Sequence, residues 1–407
     1  MQVSARTAII GGGPAGALVA AALARQGREV LLFDEKLAWE KPCGGGLTPK
    51  ALARWPFLGE AGVERNWIDR CELFASSGGQ ASFSLDRPIA IFSRLALNGL
   101  MLERARVAGA RLHRERVVEI AGQAGQWKIR TLASTHSAGF VVLATGARNA
   151  FRNQFASPLG PENFMVAAGY YIPGHRRTVQ IKFLPGLEGY IWVFPRVDHV
   201  SAGICGRMKG LRTSNLRQLL DESLPEFGLD LRQARFYAHI IPSLTPDQLH
   251  DGQFSGEGWA MIGDAAGFVD AITGEGLYYA LRSAELAAEA LAADQPQTYA
   301  ALVKGDFLPE LEHAAQIRDR FYSGSWMGAP VIERMIQLTS RSPQFRALMR
   351  DLFSGSQEYS NLRERLYRSL PRIAAEALAS TLWNRKGQSG ATDESGLERF
   401  AGAGNRT

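Results

Sequence analysis

The stretch GDAAGFVDAITGEGL, Gly263 to Leu277, follows a short apolar run and precedes a long alanine-rich segment. A second glycine-rich stretch, IIGGGPAGA at Ile9 to Ala17, lies near the start of the chain. A single GxGxxG pattern is a weak indicator. Two such turns, each after an apolar strand, predict the two halves of one dinucleotide site on an α/β fold.

The upstream turn has the residue types that a dinucleotide pyrophosphate needs. Gly11, Gly13 and Gly16 permit the tight turn, the close approach of a phosphate and the close packing of helix on strand. Pro14 and Ala15 open an alanine-rich helix, whose N-terminus carries positive charge toward the phosphates. The alternative is an ordinary glycine turn in an α/β protein.

An acidic residue follows the second predicted strand, Glu29 to Phe33. Asp34 is placed to accept a hydrogen bond from a ribose hydroxyl, and Glu35 comes directly after it. An acid at this position favours an unphosphorylated ribose, as in FAD or NAD, over NADP.

The downstream stretch supplies the other half of the site. Asp264 follows the predicted strand Trp259 to Ile262 and can bond the ribityl chain of a flavin. The backbone N–H groups of Gly274, Glu275 and Gly276 open the next helix and can stabilise negative charge on a reduced flavin. Together the two turns predict FAD. A helix merely capped by a glycine loop is the alternative.

The bulk composition narrows the function classes. The chain has 407 residues, of which 46% are apolar, and a formal charge of +6, which suits an anionic cofactor, substrate or lipid surface. No basic run with interleaved aromatic residues occurs, so no nucleic-acid partner is expected. Three cysteines without CxxC spacing and seven histidines without ligand spacing predict a reducing, cytoplasmic location and no metal.

The pattern along the chain predicts a Rossmann-like FAD domain interrupted by an antiparallel β-sheet, with helices at the C-terminus. Residues 51–90 are expected to contribute to the substrate side. The expected parts are a discontinuous FAD-binding domain (1–162 plus 251–300), an antiparallel-sheet substrate domain (163–250), a helical region (301–385) and a disordered tail (386–407).

Four motifs in order carry a resemblance to a known family. GGGPAG, then KPCGGG at Lys41 to Gly46, then YIWVFP at Tyr190 to Pro195, then GDAAGFVDAITGEGL resemble the geranylgeranyl reductase family. That family belongs to the flavoproteins folded like para-hydroxybenzoate hydroxylase. The resemblance covers about residues 5–300. Its outer motifs are shared across the superfamily, whereas the CGGG loop and the YxWxFP signature are specific to the family.

The resemblance implies roles for individual residues. Arg94 would begin a flavin-contacting helix, Tyr190 and Trp192 would roof the substrate cavity, and Cys43 would orient substrate or donate a proton. Family members reduce carbon–carbon double bonds in polyprenyl chains of lipids, chlorophyll precursors or quinones. The cofactor-binding residues expected from motifs and resemblance together are Gly11, Gly13, Pro14, Ala15, Gly16, Asp34, Glu35, Lys41, Cys43, Gly44, Gly45, Arg94, Gly146, Asp264, Gly274, Glu275 and Gly276.

The sequence departs from the superfamily pattern in two places. Ala271 stands where a proline beside the flavin is usual. The hydroxylase Asp-Gly pair is absent from the segment Ala144 to Arg148, which leaves the electron donor open between NAD(P)H, ferredoxin and another flavin.

Several interpretations stay open at this level. Cys43, Tyr190 and Trp192 could equally be packing residues, and the arginine-rich C-terminal helices could contact a membrane or diphosphate or be a solvated face. The leading hypothesis is a reductase of a lipophilic alkene. The alternatives are an oxygen-using monooxygenase or halogenase, and a lipid-binding or electron-carrying flavoprotein without turnover of its own.

Overall fold

The computed structural model describes residues 6–60, 62–207, 213–326 and 328–390. The strands are, in chain order, β1 Thr7–Ile10, β2 Val30–Phe33, β3 Gly46–Leu47, β4 Arg65–Phe74, β5 Gln80–Phe92, β6 Arg111–His113, β7 Val117–Ala121, β8 Trp127–Thr131, β9 Thr135–Ala138, β10 Phe140–Leu143, β11 Phe164–Pro173, β12 Val179–Lys182, β13 Gly189–Pro195, β14 His199–Arg207, β15 Arg235–Pro242, β16 Ser255–Gly256, β17 Trp259–Met261, β18 Ser325–Trp326 and β19 Ala329–Pro330.

The helices are, in chain order, α1 Pro14–Arg25, α2 Pro49–Arg54, α3 Phe57–Glu60, α4 Arg94–Val107, α5 Arg152–Phe155, α6 Thr213–Ser223, α7 Pro246–His250, α8 Leu277–Ala292, α9 Tyr299–Gly305, α10 Leu308–Ser323, α11 Val331–Arg341, α12 Pro343–Ser354 and α13 Tyr359–Gly390.

A six-stranded sheet in the order β16-β17-β10-β1-β2-β6 forms the first layer. All neighbours are parallel except β16 and β17. The central strands are short apolar runs buried along their whole length, as expected of a parallel sheet covered on both faces. Helix α1 packs against α4 and α8. The carboxyl ends of β1, β2, β10 and β17 therefore meet at one edge, where α/β sheets bind ligands.

An eight-stranded sheet in the order β15-β11-β14-β13-β12-β4-β5-β3 forms the second layer. It is antiparallel except where β12 pairs with β4 in parallel. Strands β4 and β5 reach this sheet from the segment 65–92, so the sheet is larger than the insertion after β10. A small three-stranded sheet, β7-β8-β9, is formed by the segment that lies in the sequence between β6 and β10 of the first layer.

The C-terminal helices pack on the eight-stranded sheet. Helices α11 and α12 contact β5, and a shared apolar core joins Ile336, Leu348 and Ile373 to Leu73 and Trp192. This arrangement encloses space between the sheet and the helices. No helix of the described ranges is long and apolar enough to cross a membrane.

The predicted fold class, a Rossmann-like α/β domain with an added β-sheet and C-terminal helices, is confirmed. The expected tail at 386–407 differs at its start, because helix α13 continues to Gly390. The rest of that segment, residues 391–407, lies outside the described residues.

Candidate functional site

A cavity of about 1510 Å³ begins at the carboxyl edge of the six-stranded sheet and extends beneath the eight-stranded sheet to the C-terminal helices. Apart from Gly16, all the residues expected from the sequence to be catalytic or to bind cofactor line this cavity. The two glycine-rich turns thus share one cavity, although most of the chain separates them.

The upstream turn forms a cradle with space for a phosphate. Gly11 has a φ of +112°, and a Cβ added there would lie 2.2 Å from the Ala144 carbonyl oxygen. A Cβ on Gly16 would lie 1.9 Å from the Gly11 carbonyl oxygen, so Gly16 serves the packing of α1 on β1. A Cβ on Gly13 would meet no heavy atom within 4 Å. The space beside Gly13, at the N-terminus of α1, is therefore free of protein atoms.

Asp34 closes the end of β2 with three hydrogen bonds from the backbone. Its Oδ2 accepts from the Gly12 N–H at 2.7 Å, and its Oδ1 accepts from the N–H groups of Lys36 and Leu37 at 2.8 and 2.7 Å. The carboxylate is held rigidly beside the glycine turn. Glu35, next to it, is exposed at the rim of the cavity.

An ion pair across the cavity joins the KPCGGG loop to the downstream glycine-rich turn. The Lys41 ammonium lies 3.2 Å from Asp264 Oδ2. Burial alone would raise the pKa of Asp264, but the positive charges of Lys41 and Arg94 hold it below its ordinary value. Asp264 is therefore an ionised acceptor at neutral pH.

An arginine that follows the YIWVFP signature holds the KPCGGG loop in place. The Arg196 guanidinium is 1% exposed, pairs with Glu40, and donates to the Cys43 carbonyl oxygen at 2.6 Å. Ser201 Oγ donates to the same carbonyl at 3.0 Å. Glu40 also accepts from the Arg94 N–H at 2.9 Å. Glu40, Arg196 and Ser201 were not predicted from the sequence, although the position of Arg196 directly after the signature was a usable signal.

The Cys43 thiol lies among positive charges. Its Sγ accepts from the Gly45 N–H at 3.3 Å. Burial opposes ionisation, but Arg94 and Arg196 lower the pKa of Cys43 below its ordinary value. Arg94 begins α4, is 3% exposed, and its Nε is buried without a hydrogen-bond partner among the described residues. A buried donor of this kind fits an anionic or carbonyl group of a bound cofactor.

Tyr190 and Trp192 lie on β13 and both line the cavity. Trp192 is 5% exposed and packs on Gly203 of β14, where an added Cβ would lie 2.3 Å from the indole Cζ2. The missing side chain at Gly203 thus makes the room that Trp192 occupies. Tyr190 donates its hydroxyl hydrogen to the Thr273 carbonyl oxygen.

The loop between Asp270 and Gly276 is held by tyrosines from three elements. Besides Tyr190, Tyr322 of α10 donates to the Ile272 carbonyl at 2.6 Å, and Tyr359 at the start of α13 donates to Asp270 Oδ2 at 2.9 Å. Asp270 Oδ1 also accepts from two backbone N–H groups of its own loop. The C-terminal helices therefore contribute directly to the shape of the flavin-side loop.

His239 of β15 lines the cavity and was not predicted from the sequence as a site residue. Burial, together with the charge of Lys41, lowers its pKa to about 4, and its Nε2 has no partner in the described chain. It is a neutral imidazole at physiological pH. Nothing in the local sequence distinguishes it from the other histidines.

Three residues without ligand spacing in the sequence come together behind the Asp34 end of the cavity. Candidate ligand atoms of His113, Glu115 and His136 all lie within 4.8 Å of one another. The Glu115 carboxylate already accepts from the hydroxyls of Thr131 and Ser134.

These residues fit FAD. The open cradle at Gly13, the ionised Asp264 and the unpartnered buried nitrogens of Arg94 and His239 match a phosphate, a polyol and a polar ring edge, respectively. The cradle alone would suit any dinucleotide. The part of the cavity around Asp264, Arg94 and His239 supplies the polar groups that the ribityl chain and ring of a flavin would need.

Comparisons with known proteins agree with this site. Residues 9–38 match the model of an NAD(P)-binding Rossmann-like domain. A geranylgeranyl diphosphate reductase of Synechocystis is 26% identical over 373 residues, which is 82% of this chain and 86% of the relative. A menaquinone reductase of Mycobacterium tuberculosis is 29% identical over 315 residues, covering 71% and 76% of the two chains.

Solved structures share the fold. A geranylgeranyl bacteriochlorophyll reductase-like protein from Thermoplasma acidophilum superposes with a TM-score of 0.74 at 18% identity, over 89% of this chain and 98% of its own. A flavin-dependent brominase, Bmp2, gives 0.68 at 18% identity, over 89% and 98%. The predicted resemblance to the geranylgeranyl reductase family is confirmed, and the relatives indicate a flavin-dependent oxidoreductase.

Proposed function

We propose that this relative of the geranylgeranyl reductases is an FAD-dependent enzyme that reduces carbon–carbon double bonds of an isoprenoid or other lipophilic substrate. The observation that carries the proposal is the continuity of the cavity from the Lys41–Asp264 pair to an apolar channel. When bound and reduced, FAD supplies a hydride.

The channel suits a long apolar chain. Its walls include Phe183 and Trp192 from the sheet, and Leu348, Leu362 and Leu366 from the helices. Burial of an alkyl chain contributes about 0.8 kcal/mol per CH₂ group, so a polyprenyl substrate gains affinity from many such contacts. The same walls exclude water from the reacting atoms.

The chain's own residues have distinct tasks in this proposal. The glycine turn and Asp34 hold the adenosine and pyrophosphate half of FAD, while Asp264 and Lys41 hold the ribityl and phosphate region. Arg94 donates to the cofactor from the start of α4. Cys43, fixed by its loop, orients the substrate, and Tyr190 and Trp192 shape the roof over it.

The electron donor in this proposal is NAD(P)H or ferredoxin. The division into an FAD domain, a substrate sheet and a helical region is also part of the proposal. The channel reaches Arg363 and the 61% exposed Tyr367 on α13, which supports a cytoplasmic enzyme that touches the membrane surface at this mouth to collect a lipophilic substrate.

A second candidate is an oxygen-using halogenase or monooxygenase. The observation in its favour is the brominase fold, which covers nearly all of the described architecture. The apolar channel would then hold an aromatic or lipophilic substrate.

One experiment tests both. The holoenzyme is reduced anaerobically with dithionite, freed of excess reductant and divided between geranylgeranyl diphosphate, menaquinone and air. Anaerobic oxidation of the flavin by either lipid, with a product that keeps two additional mass units per reduced bond after any quinol has been reoxidised in air, supports the reductase. No lipid-dependent oxidation, together with a hydroxylated or halogenated product formed only in air, favours the second candidate.

A further inference from the structure

Glu275 is the one carboxyl group, among the described residues, that has a buried oxygen without a hydrogen-bond partner. It stands between Gly274 and Gly276, just before α8, and all three residues line the cavity. Its Oε1 is buried without a partner in the described chain. A buried oxygen left in this way is costly unless the carboxyl is protonated or a ligand completes its bonding.

The neighbouring tyrosines do not donate hydrogen bonds to this carboxyl. Tyr190, Tyr322 and Tyr359 each donate elsewhere, to the Thr273 and Ile272 carbonyls and to Asp270. Those bonds hold the loop that carries Glu275, so the carboxyl is presented to the cavity by a rigid backbone. The Glu275 backbone N–H donates to Thr273 Oγ1 at 3.2 Å.

One acidic neighbour acts on Glu275. Asp270 lies in the same loop, and its carboxyl raises the pKa of Glu275, although burial raises the pKa of Asp270 itself. Tyr278 and Tyr279 follow on α8 and are neutral, because burial raises the pKa of each. Glu310 of α10 faces the same tyrosines. The counter-charge comes from Lys50 of α2.

The Lys50 ammonium also interacts with two other groups. The Lys50 ammonium lies 3.8 Å from the Glu358 carboxylate and 4.7 Å from the centre of the Tyr278 ring. Burial and the Asp270 charge together raise the pKa of Glu275 to about 7. The group therefore holds a proton near neutral pH and can also release it, which is what a general acid requires.

Other titratable groups of the cavity are less suited to deliver a proton. The pKa of His239 is lowered to about 4, mainly by burial, so its ring is neutral. Asp264 is ionised by its pairing with Lys41, and burial raises the pKa of Tyr190 well above its ordinary value. Arg94 and Arg196 lower the pKa of Cys43, whose Sγ accepts from the Gly45 N–H within the KPCGGG loop.

We propose that Glu275 is the general acid of the reduction, delivering its proton to one alkene carbon while the reduced flavin supplies the hydride to the other. This inference rests on the proposed function. In the balanced step the π bond breaks, two C–H bonds form, the flavin is oxidised by two electrons, and Glu275 is left as a carboxylate. Lys50 and Glu358 line the same cavity with side chains 34% and 49% exposed, so they open a route for a solvent proton to restore the acid.

The test compares Glu275→Gln with the wild-type holoenzyme and with Glu289→Gln, a matched change at an exposed position of α8, the helix that Glu275 precedes. The first readout is the infrared carbonyl stretch of a protonated carboxyl in the oxidised holoenzyme. We expect a band that disappears as pH rises through about 7, is retained in Glu289→Gln, and is absent from Glu275→Gln.

The second readout is the single-turnover oxidation of pre-reduced enzyme by geranylgeranyl diphosphate as a function of pH. The wild-type rate should fall above about pH 7, whereas Glu275→Gln should be at least about a hundredfold slower with no fall in that range. Glu275→Asp should restore part of the rate, and FAD content should be equal in all variants.

The outcomes separate the two proposals. If the wild type oxidises its flavin with the lipid but Glu275→Gln keeps the same rate and pH profile, or the infrared band is missing, the general-acid assignment is wrong and the reductase stands. If the wild type reduces no alkene, the reductase proposal has failed, and the role of Glu275 in that reaction fails with it.

Discussion

Lys41 and Asp264 meet across the cavity with 3.2 Å between the ammonium nitrogen and Oδ2, and thereby join two of the four motifs of the chain. One partner belongs to the KPCGGG loop and the other to the turn after β17. The pair keeps Asp264 ionised in a buried setting, where a carboxylate is a strong acceptor for ribityl hydroxyls.

Asp264→Asn should weaken FAD binding by about tenfold or more, because hydrogen bonds to charged groups contribute about 1.5–3 kcal/mol. Asp264→Ala should lose bound FAD. The ratio of flavin to protein absorbance after desalting measures both. Asp86→Asn, at an exposed position outside the cavity, is the control, and full flavin content in Asp264→Ala would contradict the assignment.

Gly13→Ala and Gly16→Ala should separate cofactor binding from folding. A methyl group at Gly13 meets no protein atom within 4 Å, so the apoprotein should keep its thermal stability while FAD binds more weakly. A methyl group at Gly16 would lie 1.9 Å from the Gly11 carbonyl oxygen, so the apoprotein itself should lose about 1–3 kcal/mol. Thermal unfolding without FAD, followed by FAD titration, distinguishes them. Equal effects of the two changes on the apoprotein would refute this division.

Arg196→Met should destabilise the protein by about 3–5 kcal/mol, since it leaves the Glu40 carboxylate without its buried partner. Glu40→Gln combined with Arg196→Met should cost less than the sum of the two single changes. Denaturant unfolding of the four proteins gives the coupling free energy. Simple additivity would show that the pair does not fix the KPCGGG loop.

Gly203→Ala should narrow the channel without affecting FAD. The new methyl group would lie 2.3 Å from Trp192 Cζ2, so the indole, which lines the cavity, must shift. We expect the KM for a long polyprenyl substrate to rise several-fold more than that for a short one, at unchanged flavin content. An equal effect on both chain lengths would argue that Trp192 does not line the channel.

The stability of the apoprotein should fall as pH rises from about 4.5 to 7, because Glu275 is protonated when folded and ionised when unfolded in that range. The folded pKa is raised, so the contribution is fully present below the unfolded value and lost on approaching the folded one. Glu275→Gln should remove this part of the slope. Urea unfolding at a series of pH values measures it, with Glu289→Gln as the reference. An unchanged slope in Glu275→Gln would assign the proton to another group.

The sequence by itself determined the two dinucleotide turns and the α/β class, because these depend on local backbone geometry. The start of α4 at Arg94 was implied by the family resemblance. A glycine at Gly11 is needed for a φ of +112°, and such a requirement is visible in the residue type itself. Buried parallel strands likewise appear as short apolar runs. The KPCGGG and YIWVFP motifs marked the family because their residues are contiguous.

Only the tertiary structure decided which distant residues complete the site. Arg196 on Glu40, Tyr359 on Asp270 and the cavity position of His239 join segments far apart in the chain. Such contacts leave no periodicity or spacing in the sequence. The protonation of Glu275 belongs to the same class, since it arises from burial and from charges that other elements bring near. The sequence shows that a carboxyl group is present at a position, but the surroundings of that group in the folded protein determine whether it holds a proton.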